Sequence, residues 1–318
     1  MSDIFSPDTN YLLRVENLSQ HFISGRGKNK LTVKAVDDVS FGVKEAETFG
    51  LVGESGCGKT TTGRTIIRLY DPVEGKVTLA GREISGKMNN DLRRYITDNV
   101  TMIFQDPVES LNPRMTIEEI IGEGLKVRGE RNQAVIREKV VDVLRKVGLN
   151  EDHASRYPHE FSGGQRQRIG IARSIIIRPK MIIADEPVSA LDVSIQAQVI
   201  NLLNDLKEEM GLTVLFIAHN LSVVKYFSDR VGVMYYGKLV EVARGEDLYQ
   251  KPLHPYTRAL LSAIPEPNPI SERNRKRIDY DPERDHDYSK ESPSMVEIEP
   301  EHFIYCSPSE LEQYKKMI

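Results

Sequence analysis

FGLVGESGCGKTTTGRTIIRLY, residues 49–70, is the stretch whose reading decides the fold. FGLVG is a short apolar run and reads as a buried strand, while TTTGRTIIRLY reads as a helix. Between them GESGCGKT, Gly53 to Thr60, matches the pattern GxxxxGK[ST]. Strand, glycine-rich turn and helix, in that order, are the setting in which such a loop holds phosphate. The glycines let backbone N–H groups turn inward onto phosphate oxygens, and the helix start adds its positive end. Lys59 is placed to reach the terminal phosphates of a nucleotide, and Thr60 to offer a hydroxyl to Mg²⁺.

Working outward, three further apolar runs end abruptly in a polar residue. VTMIF ends in Gln105, KMIIAD in Asp185 with Glu186 behind it, and LTVLFIA in His219. A carboxylate at the carboxyl edge of a buried strand can hold Mg²⁺ through water, and the next one can orient and deprotonate an attacking water. Each alone is an ordinary strand end. Together with the loop they place phosphate-binding or polar residues at four strand ends, the edge where open α/β sheets bind ligands. The fold class is therefore α/β, with a buried parallel sheet. Ahead of the loop, YLLRV, LTVKAV and VSFGV read as separate strands. Between 106 and about 178 the pattern turns helical. QAVIREKVVDVLRKVG carries Ile136, Val140, Val143, Leu144 and Val147 at helical spacing, with Gly148 to end it. A later helix puts Ile195, Val199, Leu202, Leu203 and Leu206 on one face. A second glycine pair stands in FSGGQRQR, residues 161–168, at a helix start whose N–H donors suit an anionic oxygen.

Composition narrows the function classes. A formal charge of -4 and a pI near 6.0 speak against electrostatically driven nucleic-acid binding. Two cysteines, Cys57 and Cys306, make neither a disulfide framework nor a CxxC metal site. The polar start MSDIFSPDTN lacks the layout of a signal peptide, and no run approaches the roughly 18 apolar residues of a membrane helix. Work at a membrane would then need a partner to hold the chain there. Residues 271–301 are dense in charge and proline, the composition of a solvated or disordered segment, and RNRKR belongs to it.

The phosphate loop, Gln105, SGGQ at 162–165, IIADE at 182–186, SALD at 189–192 and His219 resemble, in order and spacing, the ATP-binding cassette family over roughly residues 11–245. The resemblance implies a P-loop ATPase core with an antiparallel β-subdomain and an inserted helical subdomain at about 106–178. It implies a head-to-tail dimer with ATP held between the phosphate loop of one cassette and the serine-glycine-glycine signature of the other. On that pattern Gly53, Glu54, Ser55, Gly56, Cys57, Gly58, Lys59, Thr60 and Thr61 bind the nucleotide, and Phe22 either stacks on adenine or packs in a strand core. Thr60, Gln105 and Asp185 hold Mg²⁺; Glu186, His219 and Gln105 serve hydrolysis. Ser162, Gly163, Gly164 and Gln165 face the partner's ATP, and Asp192 couples the two sites. Two helix starts cannot easily reach one γ-phosphate within a chain, so pairing of cassettes gives the second glycine pair its purpose.

VKAVDDVSF at 33–41, FQDPVESLNPRMT at 104–116, YPHEFSGGQRQRIGIARS at 157–174 and LHPYTRALLSAIP at 253–265 carry a finer resemblance, to the ATPases of oligopeptide and dipeptide importers. The HPYT segment marks a C-terminal extension, here 246–318, outside the ATPase core. The resemblance implies ATP and Mg²⁺ as cofactors and a place on the cytoplasmic face of the cell membrane. It implies two transmembrane permease subunits, an extracellular peptide-binding protein and a second ATPase, with no nucleic acid. Such importers pair ATPases called D and F, and Gln165 after the signature glycines resembles F, so the neighbour would be D-type. A nickel or other small-solute importer, or a DNA- or ribosome-associated cassette, are the alternatives. The sequence departs from the pattern twice. Many relatives hold an iron–sulfur cluster on a cysteine group in the extension; Cys306 alone cannot, so none is expected. The 271–301 segment also lengthens the tail beyond the shared pattern. Cys57 reads as a small residue beside glycines; the alternative is a thiol activated by the helix start, whose alkylation would block ATP.

Overall fold

The structure, a computed structural model, describes residues 10–25, 31–106, 110–265 and 276–318. Its contacts group into two compact units: Lys87–Phe216 form one, and the chain on either side of them forms the other.

In the flanking unit, β1 (Tyr11–Ser24) pairs antiparallel with β2 (Leu31–Lys44). LTVKAV and VSFGV, separate strands in the sequence reading, are one strand. The polar pair between them makes a bulge and not a turn. Asp38 takes φ 59°, and the register passes from Leu18 opposite Val39 to Gln20 opposite Val36, one residue too many on β2. Asn17, itself at φ 50°, fastens the bulge by donating from Nδ2 to Asp38 Oδ1 at 2.7 Å. β3 (Thr48–Val52) is buried along its whole length and leads through the glycine loop into α1 (Lys59–Ile66). β4 (Glu74–Leu79) and β5 (Arg82–Glu83) complete an antiparallel sheet in the order β2-β1-β4-β5.

The inserted unit begins with α2 (Asn90–Asn99) and β6 (Val100–Ile103). Its helices α3 (Ile117–Val127), α4 (Gln133–Lys146) and α5 (Gly163–Ile175) pack on one another. α4 buries Ile136, Val140, Val143 and Leu144, the stripe read from sequence, and Gly148 at φ 73° follows it. β7 (Met181–Asp185) is wholly buried and runs parallel to β6. α6 (Val193–Met210) buries Val199, Leu202, Leu203 and Leu206, while Ile195 is half-buried. Gly211 at φ 63° stops it before β8 (Thr213–Ala218), where the chain leaves this unit.

Back in the flanking unit, α7 (Leu221–Phe227) precedes β9 (Arg230–Tyr235), which lies parallel to β3, and β10 (Lys238–Arg244) returns antiparallel through Tyr236 and Gly237. Both turn residues have positive φ, 42° and 83°, as a two-residue hairpin of this hand requires. α8 (Gly245–Gln250) and α9 (Pro255–Ser262) follow. β11 (Ser294–Glu299) and β12 (His302–Cys306) then extend the sheet beyond β10. Among the described residues no helix is long and apolar enough to cross a membrane.

In the described part of the polar segment, residues 276–301, most side chains are exposed, as in a solvated run. The chain there nonetheless forms a short helix at Pro282–Asp285 and a strand, so the disordered alternative falls away. β11 pairs with β12, and Ile298 packs on a cluster of Leu253, Ile304, Cys306 and Tyr314. His286 is buried with Nδ1 2.7 Å from Glu310 Oε1 and stacks on Tyr288. Its anchors, Tyr280, His286, Tyr288, Met295 and Ile298, are too sparse among the charges to leave a periodic signal. Residues 271–275 of the segment, with most of RNRKR, lie outside the described residues.

Candidate functional site

The flanking unit carries the phosphate loop. Gly53 takes φ 152° and Gly58 φ 108°, and a Cβ at either would stand 2.2 Å from the Met234 carbonyl oxygen or 2.1 Å from that of Ala35. The loop therefore packs directly on neighbouring backbone, which is why both positions need glycine. Lys59 is buried, and its Nζ donates to the carbonyls of Gly53 and Glu54 at 2.7 and 2.8 Å. No carboxylate among the described residues forms an ion pair with this ammonium. Gly58 gives the start of α1 no side chain as a built-in cap. An uncompensated ammonium and an uncapped helix start together suit a polyanion such as the triphosphate of ATP. Ser55 and Gly56 are exposed on the loop, and Thr60 and Thr61 open α1.

Cys57 is buried within this loop, and burial raises its thiol pKa above the ordinary value despite the opposing influence of Lys59. That favours the reading of a small residue beside glycines over that of an activated thiol: desolvation of the thiolate opposes and exceeds the effect of Lys59. Less thiolate is present at pH 7 than for a free cysteine. Iodoacetamide should therefore label Cys57 in the native chain more slowly than it labels free cysteine. Labelling at the free rate, read by mass spectrometry, would count against this.

Two other candidates sit in the same unit. His219 is exposed just past the end of β8, with Asn220 capping α7 behind it through the Ser222 N–H. Phe22 is 38% exposed on β1 and meets Tyr70 edge-on at 5.2 Å, so the strand-core alternative for it falls away.

In the inserted unit, parallel register brings two candidates together. Ile103 lies opposite Ala184, so the residues two beyond each face one another. Gln105 Nε2 donates to Glu186 Oε2 at 3.1 Å. Asp185, the last residue of β7, is fully buried. Glu186 takes φ 45°, and its carbonyl accepts from Ser189 N at 3.2 Å and Oγ at 3.1 Å. This backbone conformation costs a non-glycine residue about 1–2 kcal/mol, and the Ser189 bonds help hold it.

The signature turn has a local logic that the sequence reading missed. Ser162 is the N-cap of α5, and its Oγ accepts from Gln165 N at 3.4 Å. Gln165 Oε1 in turn accepts from Ser162 N at 3.0 Å, closing a capping box. S-x-x-Q is the signal that could have given this. Gln165, singled out for subfamily, is thus also the residue that fixes the signature serine. A Cβ on Gly164 would come within 2.7 Å of Ile195 Cγ2, so glycine there allows α5 to lie close to α6. Gly163 is exposed. Asp192 stands at the N-cap of α6 with its carbonyl accepting from Ile195 and Gln196, both at 2.9 Å. Its side chain is exposed, beside a Val193 that is 82% exposed.

Comparison with known proteins fits this geometry. The family model for "ABC transporter" matches residues 36–189, and that for "Oligopeptide/dipeptide transporter, C-terminal region" matches 240–290. The second match runs through 271–290, so that stretch of the polar segment belongs to the shared pattern and does not lengthen it. An oligopeptide transport ATP-binding protein of Bacillus subtilis is 54% identical over 312 residues, covering 96% of this chain and 99% of its own. A dipeptide transport ATP-binding protein of Lactococcus lactis is 51% identical over 309 residues, covering 96% and 97%. Among solved structures, a dimeric ATP-binding cassette in a post-hydrolysis state with ADP and phosphate superposes with a TM-score of 0.66. Its identity is 28%, and the match covers 73% of this chain and 98% of that one.

Proposed function

The chain belongs to the ATP-binding cassette family, in its oligopeptide and dipeptide transport branch, and on that premise we propose that it is the ATPase that powers peptide import through a channel made by other subunits. The observation that carries this reading is likeness along nearly the whole chain to peptide-transport ATPases, C-terminal region included.

In the proposed mechanism the nucleotide supplies the phosphoanhydride bond and Mg²⁺ supplies charge to its phosphates. Lys59 and the start of α1 hold the phosphates, Thr60, Gln105 and Asp185 hold the metal, and Phe22 stacks on the base. Magnesium at such sites keeps phosphate and water ligands, so a few protein oxygens suffice. Glu186 orients and deprotonates the attacking water, kept in place by Gln105, and His219 holds the γ-phosphate side. Catalysis here is positioning and charge stabilisation. Ser162, Gly163, Gly164 and Gln165 complete the ATP site of a neighbouring cassette, and Asp192 links the two sites. The neighbour is a D-type ATPase, two permeases hold the pair on the cytoplasmic face, and an extracellular binding protein delivers peptide.

Purification of the tagged chain from membranes should bring down two permeases and a second, different ATPase. Peptide uptake by vesicles carrying that complex should require ATP inside and fall to background with Lys59→Ala. Recovery of ribosomes or DNA in place of permeases would sink the reading.

A further inference from the structure

We propose that Tyr256, in the HPYT segment, is a positioning residue for the phosphate loop, through which the C-terminal region sets the orientation of the peptide plane that holds Lys59. The proposal rests on the nucleotide reading of Gly53–Thr60 and deepens it. Glu54 N donates to Tyr256 Oη at 3.1 Å, a contact bridging some two hundred residues of chain. That N–H shares one planar peptide unit with the carbonyl of Gly53, which accepts from Lys59 Nζ at 2.7 Å. In a trans peptide the two groups point in opposite directions. One plane is therefore clamped from both sides, by Lys59 on its oxygen and by Tyr256 on its nitrogen. Turning the plane would break both bonds and take from the ammonium one of its two carbonyl partners, leaving it on Glu54.

The C-terminal region is built to hold Tyr256 still. Glu241, fully buried, accepts from the N–H groups of Leu253 and His254 at 2.8 and 3.0 Å, and its Oε1 lies 2.8 Å from His302 Nε2. This pins the start of α9, where His254 Nδ1 accepts from Tyr256 N at 3.1 Å. Burial pulls His254 down to about 3, so the ring stays neutral and able to accept. The Tyr256 ring sits among aromatic partners, 4.5 Å from Tyr235 and 5.5 Å from Tyr280. Tyr280 lies 5.8 Å from His286, which Glu310 anchors. Tyr280 and His286 belong to the polar segment, so that segment buttresses the loop through Tyr256. Burial also raises the Tyr256 phenol, which stays an uncharged hydroxyl at physiological pH.

Tyr256→Phe keeps the ring and removes the acceptor. In the full chain it should weaken MgATP binding about two- to tenfold, the effect of one lost hydrogen bond, and in the assembled complex raise KM similarly with kcat changed less than about twofold. Tyr280→Leu, which leaves the hydroxyl but loosens the stack, should weaken binding in the same direction. Lys59→Ala is the control for the nucleotide reading itself. If Lys59→Ala abolishes binding and Tyr256→Phe binds MgATP as the wild type does, the positioning role is wrong and the nucleotide site stands. If Lys59→Ala still binds, both fall. Should Tyr256→Phe not fold, hydrogen exchange at the Glu54 amide of the wild-type chain decides: slow exchange supports the clamp, and the rate of an open loop amide overturns it.

Discussion

Glu186→Gln should lower ATP hydrolysis about 10²- to 10⁴-fold, the usual worth of a general base, while leaving MgATP binding intact. The expectation comes from charge and geometry together. The side chain is held by Gln105 at 3.1 Å, and a glutamine keeps an oxygen that can accept the same bond. Its backbone, at φ 45° and braced by Ser189, is independent of the side-chain charge. What the substitution removes is the ability to take a proton from water. The measurement is phosphate release by the assembled complex with the equivalent change in both cassettes, beside nucleotide binding by filtration. Wild-type turnover there would show that Glu186 is not the base.

Glu47→Ala should cost the fold about 3–5 kcal/mol, the penalty for stranding a buried charge. Arg230 and Glu47 are each about 94% buried at the side chain, with Arg230 Nε 2.6 Å from Glu47 Oε1. Burial alone would pull the guanidinium pKa down, yet hydrogen bonding and attraction to Glu47 raise it. The same carboxylate accepts from Lys44 N at 2.5 Å, so its loss also orphans a backbone donor. Denaturant unfolding of the full chain reads the effect. A double change, Glu47→Leu with Arg230→Met, should recover most of it, because replacing both charges by apolar groups removes the desolvation problem. Equal loss in the single and double variants would locate the cost elsewhere.

The parts of this molecule that the sequence discloses are those whose chemistry demands fixed residue types side by side. The phosphate loop, the IIADE strand end and the α4 stripe need no distant partner to be recognised. The parts it hid depend on pairing across the chain. The bulge in β2 is settled by Asn17 reaching Asp38, twenty-one residues away. Gln105 and Glu186 meet because Ile103 is in register with Ala184, a choice made by two strands and not by either one. Tyr256 was legible only as a family mark, since its partner is a backbone amide some two hundred residues earlier. The structured part of 276–301 leaves no sequence signal because its few aromatic anchors are scattered among charges. The Ser162–Gln165 capping box is the exception: its pattern is local and complete in the sequence, overlapping the signature glycines.

The pairing of β3 with β9 also sets an order in time. Phe49 finds Arg230, 181 positions later (230 − 49), and the last strands of the same unit come later still. At ribosomal speeds of about 5–20 residues per second, β3 waits roughly 10–35 s for β9, its partner on one edge, to be made. The inserted unit, Lys87–Phe216, is complete in one unbroken length of chain before that moment arrives. During synthesis the nascent chain therefore carries the whole inserted length while β3, a strand the fold buries from end to end, still lacks β9. Until residue 230 emerges, one edge of β3 has no strand to pair with, the kind of open edge that exposes a nascent chain to aggregation.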